Sequence, residues 1–89
     1  MPGKVSVTLE TANAVETALW NTESSLESSA SIMEEEMNRA SANWSDRNFE
    51  TCKAYVKKYI NSCRIAIPIL KTAREKIKKI EEAIIEYNS

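Results

Sequence analysis

From Phe49 to Tyr87 the chain repeats itself every seven residues. Phe49, Val56, Cys63, Leu70, Ile77 and Ile84 form one register, and Cys52, Tyr59, Ala66, Ala73, Ile80 and Tyr87 form a second, three residues on. Apolar side chains at both positions through six heptads make one continuous stripe on a helix. The spacing fits no strand, whose faces alternate every second residue. The single Gly, Gly3, lies at the N-terminus beside Pro2, whereas a β-rich chain draws on turn residues roughly every 8–12 positions. One long helix is therefore predicted from about Asp46 to about Tyr87. Ile60 and Ile67 widen its stripe beyond a two-helix seam.

Pro68 is the one interruption. An interior Pro loses a backbone hydrogen bond and crowds the carbonyl four residues back, here that of Arg64. It shares an outward register with Ala54, Asn61, Glu75 and Glu82, so a bend there is convex toward solvent. The expectation is a kink near Arg64–Pro68 with the seam continuing past it.

The first half carries a thinner stripe. Ala12, Leu19, Leu26, Met33 and Ala40 recur every seven residues, and Val15, Ala30 and Met37 fill adjoining positions. This predicts a helix from about residue 9 to about residue 41. Residues 4–9 alternate between polar and apolar and read as a short extended lead-in, with Thr8 or Ser6 as helix cap and Glu10 near the positive end of the dipole. Ser24, Ser25, Ser28, Ser29 and Ser31 are poor helix formers that compete for backbone hydrogen bonds, which leaves a break near Asn21–Ser25 as an alternative.

Between the helices, residues 41–48 read Ser-Ala-Asn-Trp-Ser-Asp-Arg-Asn. Ser45 reads as the cap of the second helix, with Asp46 as the alternative. Trp44 before that cap and Phe49 four residues after it form a hydrophobic-staple arrangement. Trp44, Ser45, Asp46 and Phe49 are thus the turn motif.

The fold class that follows is all-α: one domain over residues 1–89, an antiparallel two-helix hairpin pairing into a four-helix bundle. A lone hairpin has a seam and no enclosed core, and small domains bury little of their surface. Trp20, Ile60, Ile67 and Ile85 have no evident place in a single seam, and pairing two hairpins would cover them. The candidate partner interface comprises Leu19, Leu26 and Met33 of the first helix. From the second it takes Val56, Tyr59, Ile60, Ile67, Leu70, Ile77, Ile80 and Ile84. The partner is either a second copy or another helical protein.

Charge is divided along the chain. Residues 1–46 hold eight acids and two bases, and residues 47–89 hold ten bases and five acids. Halves of opposite sign attract when they lie side by side, and the ridge of Lys57, Arg64, Lys71 and Lys78 is placed to meet Glu27 and Glu34. The net charge of −1 does not point to nucleic acid.

No stretch has the length of a signal peptide's apolar core or of a membrane span, so export would use a route without a cleaved leader. The chain has no His, the commonest general base and metal ligand. It has no Gly-rich phosphate loop, and the contiguous Glu34–Glu36 point in different directions on a helix. No catalytic, cofactor-binding or metal site is expected, and no enzyme. Cys52 and Cys63 lie roughly 16 Å apart along a straight helix, beyond disulfide reach. They are expected as buried, reduced thiols, an intermolecular disulfide being the alternative.

With these features in place, the chain resembles the WXG (ESAT-like) family of small type VII secretion proteins. The resemblance rests on a length near one hundred residues, the Val5-Ser6-Val7-Thr8 lead-in, a long helix, a mid-chain Trp and a second long helix opening with Phe49. The family's Trp-x-Gly turn here reads Trp44-Ser45-Asp46, with Asp in place of Gly. The family's Tyr-x-x-x-acid tail signal is missing, since only Asn88 and Ser89 follow Tyr87. The resemblance implies a dimeric secretion substrate, or a partner or chaperone of a larger helical exported protein, secreted or cytoplasmic before export. The alternative is a monomeric cytosolic helical-bundle binding protein or immunity-type inhibitor, which would need three or four shorter helices.

Overall fold

The computed structural model describes residues 8–88. Two helices account for nearly all of them: α1, Leu9–Ser41, and α2, Arg47–Tyr87. They lie antiparallel, because Arg64 meets Glu34, Arg74 meets Glu23 and Lys78 meets Glu16, each pair farther from the turn than the last. The rod measures 65 × 16 × 14 Å. Its radius of gyration, 19.8 Å, far exceeds the roughly 12 Å of a compact chain of this length.

Thr8 caps α1: its backbone is extended and its Oγ1 accepts from the Thr11 amide at 3.1 Å. Apart from Thr8 and Leu9, the lead-in expected over residues 4–9 lies outside the described residues. No break occurs near Asn21–Ser25. There the Thr22 hydroxyl donates to the carbonyl of Ala18, four residues back, at 2.8 Å, so the side chain bonds along the helix instead of pulling the backbone out of it. Across the turn, the cap of α2 is Asp46 and not Ser45: Asp46 Oδ1 accepts from the Phe49 amide at 2.8 Å. A carboxylate there also suits the positive end of the helix dipole. α2 runs through Pro68 without ending.

The seam between the helices follows a 3–4 alternation on both sides. α1 turns inward Leu9, Ala12, Glu16, Leu19, Glu23, Leu26, Ala30, Met33, Met37 and Ala40. α2 turns inward Phe49, Lys53, Val56, Ile60, Cys63, Ile67, Leu70, Arg74, Ile77, Glu81 and Ile84. Only Ala30, Ile60 and Cys63, with Leu26, Met33 and Val56 against them, form a contiguous core cluster. The remainder of the seam is half-covered, as two rods in contact along one line must be.

This seam corrects the sequence expectation in one respect. The register of Phe49, Val56 and Cys63 faces α1 as expected. Its companion is Lys53, Ile60, Ile67, Arg74 and Glu81, four residues on, and not Cys52, Tyr59, Ala66, Ala73, Ile80 and Tyr87. Ile60 and Ile67 therefore do have a place in a single seam, Ile60 being 7% exposed. On α1, Glu16 and not Val15 takes the adjoining position, and Val15 faces outward.

Candidate partner interface

The turn is closed by three side chains. Trp44 and Phe49 stack with ring centroids 4.6 Å apart and planes inclined by 24°. Asp46 ties both to the cap: Oδ1 takes the Phe49 amide, and Oδ2 takes the Trp44 indole N–H at 3.1 Å. Those two bonds, the Phe49 amide first, hold the Asp46 carboxyl below its ordinary range. Phe49 is wholly buried, while Trp44 is half exposed and covers it from outside. With Asp46 as cap, Trp44 stands two residues before it and Phe49 three after. The clamp is thus one position displaced from the staple expected around Ser45.

Charged residues occupy the seam toward the open end. Arg74 Nε and Nη2 donate to the two carboxylate oxygens of Glu23, whose residue is only 9% exposed. Arg74, first through these hydrogen bonds and then through its charge, lowers the Glu23 pKa against the opposing effect of burial. Two turns farther out, Glu81 lies against Glu16, and one Glu81 carboxylate oxygen is buried with no hydrogen-bond partner. Hydrogen bonding with Glu16, then burial, then the Glu16 charge push the Glu81 pKa up.

The seam divides the remaining surface into two flanks. One carries charge: the α2 ridge of Lys57, Arg64, Lys71 and Lys78 runs beside Glu27 and Glu34 of α1. Arg64 makes a bidentate bridge to Glu34 at 2.9 and 3.0 Å, and Lys78 lies 3.8 Å from Glu16. Lys71 and Lys57 extend the same ridge. Trp20 and Ile85 also lie on this side and are about half exposed.

The other flank is nearly uncharged. It is marked by the hydrogen bond between Ser29 and Tyr59 across the helices, at 2.6 Å. Helical spacing places Tyr55, Tyr59, Ile69, Ile80 and Tyr87 of α2 on this side. All of them are exposed, Tyr59 and Ile80 by 44% and 45%, Ile69 by 63%. The register assigned to the seam from sequence is thus the edge of this flank that borders the seam. Cys52 belongs to it as well and is exposed, which corrects the expectation of two buried thiols; Cys63 alone is buried.

Of the candidate interface residues, Leu19, Leu26, Met33, Val56, Ile60, Ile67, Leu70, Ile77 and Ile84 lie in the hairpin's own seam. Tyr59 and Ile80 face outward. Sequence patterning missed Glu16, Glu23, Lys53, Arg74 and Glu81, charged residues placed in a seam. The signal that finds them is complementarity between two stretches distant in sequence, which the periodicity of one helix does not carry. Among the described residues no helix is long and apolar enough to cross a membrane. No family model matches the chain, and no curated protein or solved structure matches it.

Proposed function

We propose that this chain is a small helical partner protein of the WXG-like, type VII secretion-associated kind. It would act as a dimeric substrate, or as partner or chaperone of a larger helical exported protein, with two hairpins completing a four-helix bundle. The observation that carries the reading is the width of the α2 stripe. Its apolar residues span both the seam and the uncharged flank, and α1 covers only the seam. Large apolar side chains left in a row on a 65 Å rod suit a helical neighbour. The Trp44–Asp46–Phe49 clamp supports the same reading, since it occupies the place of the family's Trp-bearing turn. The unbroken α1 disfavours the compact monomer of shorter helices that the inhibitor reading requires.

The test is export in the native host. The tagged chain is followed in culture medium and cell lysate, with the type VII secretion ATPase intact or deleted. The expected result is chain, or a helical protein co-purifying with it, lost from the medium on deletion. Equal retention of both inside the cell with and without the ATPase would end the secretion reading.

A further inference from the structure

Ile65 stands on the line of α2 directly opposite the seam, and 65% of it is exposed. Pro68 and Ile69, three and four residues on, adjoin it on the helix surface. Pro68 is exposed and Ile69 is 63% exposed. From Ile65 to Leu70 no side chain is polar, so here alone the apolar character of α2 runs round to its outer face.

The charge around this spot is of one sign. Residues 53–80 hold nine bases and a single acid, Glu75. Arg64, Arg74 and Lys78 are engaged by carboxylates of α1. Lys57, Lys58, Lys71, Lys76 and Lys79 are exposed and make no ion pair among the described residues. Along the rod, Lys58 lies roughly 10 Å from Ile65 toward the turn, and Lys79 roughly 21 Å toward the open end. An aliphatic spot is thus bracketed by unpaired lysines on both sides.

We infer that the outer face of α2 lies flat on an anionic lipid surface, with Ile65, Pro68 and Ile69 sunk among the headgroups and the lysines on the lipid phosphates. The inference goes beyond the partner-protein reading and uses a different face from the uncharged flank. Lysine suits such a surface, since its stem lies along apolar material while its ammonium reaches outward. A nucleic acid would find no stacking platform or base-reading donor at the centre of the face, only branched aliphatics and a proline. The one arginine here, Arg64, already spends its fork on Glu34. The net charge of −1 does not oppose the contact. Glu35, on the outer line of α1, lies on the far side of a rod 14–16 Å thick, beyond the roughly 10 Å screening length of 0.1 M salt. Neither helix is apolar enough to cross a bilayer among the described residues, so the contact stays interfacial.

The experiment is co-sedimentation with phosphatidylcholine vesicles with and without 30% phosphatidylserine. In 0.1 M salt, binding to the anionic vesicles is expected to be about tenfold or more stronger, and to fall away in 0.5 M salt. Lys57→Gln with Lys58→Gln is expected to weaken it about tenfold, and Ile65→Ser severalfold. Both leave helicity unchanged, because these side chains are exposed. A spin label on Ile65→Cys in a Cys52→Ser background should become accessible to oxygen and shielded from a water-soluble quencher on vesicles. The same label on Asn21→Cys, on the outer face of α1, should stay in water. Equal binding to both vesicle types, or an Ile65 label that stays aqueous, would overturn the inference. So would tighter binding to duplex DNA or polyglutamate than to the anionic vesicles at the same salt. Export is measured separately, so failure here leaves the secretion reading standing, and loss of that reading leaves the lipid contact.

Discussion

Arg74 grips Glu23 from the opposite helix with two parallel hydrogen bonds, at 2.7 and 3.1 Å, both residues occupying positions that an apolar seam would fill. The pair aligns the helices. Sliding α2 by one heptad would bring Arg74 level with Ala30 or Glu16 and set Glu23 against Glu81 or Ile67. A buried pair of this kind contributes little net stability over apolar replacements, while removing one partner strands the other. Glu23→Leu and Arg74→Leu are each expected to lower the thermal midpoint. The double variant is expected to recover it while its NMR spectrum broadens, as helices without the pair sample more than one register. A double variant as unstable as the sum of the singles would contradict this account.

The turn clamp separates into packing and capping. Phe49→Ala empties a buried site and is expected to cost about 3–5 kcal/mol in urea denaturation. Trp44→Ala loses one half-exposed face of the stack and is expected to cost less. Asp46→Asn keeps an acceptor for the Phe49 amide and should be milder than Asp46→Ala, which removes the cap and the indole bond together. Equal midpoints for the two Asp46 variants would mean that the cap does not hold this helix start.

Acid should first strengthen and then weaken the fold. Glu23 and Glu34 titrate below their ordinary value of 4.5, held there by hydrogen bonds from Arg74 and Arg64, and Asp46 titrates below 3.8 through its bond from the Phe49 amide. Their stabilisation is present above those unfolded values and is lost as pH falls through the lower folded ones. Glu81 is displaced upward, facing Glu16 across the seam with Lys78 and Glu82 beside it on its own helix. Its contribution is complete below its unfolded value and is lost as pH rises through the higher folded one. The melting midpoint is expected to climb as pH falls from neutrality toward the ordinary carboxylate value of 4.5 and to fall in stronger acid. Glu81→Gln should abolish the climb and keep the fall. A wild-type midpoint that declines steadily from neutrality would refute the Glu81 assignment.

The two thiols should differ sharply in reactivity. Cys52 is exposed and Cys63 is 2% exposed. A thiol reagent applied to the native protein is expected to modify one equivalent rapidly, located at Cys52 by peptide mapping. The second should react only at the rate of unfolding. Rapid modification of Cys63 would place it outside the core.

The hairpin itself was legible because its signals are local. Thr8 caps α1, the Trp44–Asp46 segment punctuates the chain, and apolar residues recur every seventh position on both sides. The choice of seam was not legible, for a physical reason. Two registers flank Phe49, Val56 and Cys63 on α2. Counting apolar residues favours the one containing Tyr59 and Ile80. The helices instead meet along the one containing Ile60 and Arg74, where Ile60 is buried and Arg74 pairs with Glu23. Such a preference belongs to the pair of helices. Ser45 and Asp46 were both plausible caps by residue type, and the carboxylate's two acceptor oxygens, one for the Phe49 amide and one for the Trp44 indole, distinguish them.

The antiparallel layout also sets how the molecule closes and opens. Arg64 and Glu34 are 30 residues apart in the chain, while Arg74 and Glu23 are 51 apart, so each successive layer demands a longer loop to be brought together. Zippering therefore starts at the Trp44 turn and travels outward, and fraying runs the reverse way. Among the late layers is the one where Glu16 and Glu81 oppose each other, with only Leu9, Ala12 and Ile84 packed beyond it, which makes the far tip of the hairpin the natural place for the two strands of this zipper to part.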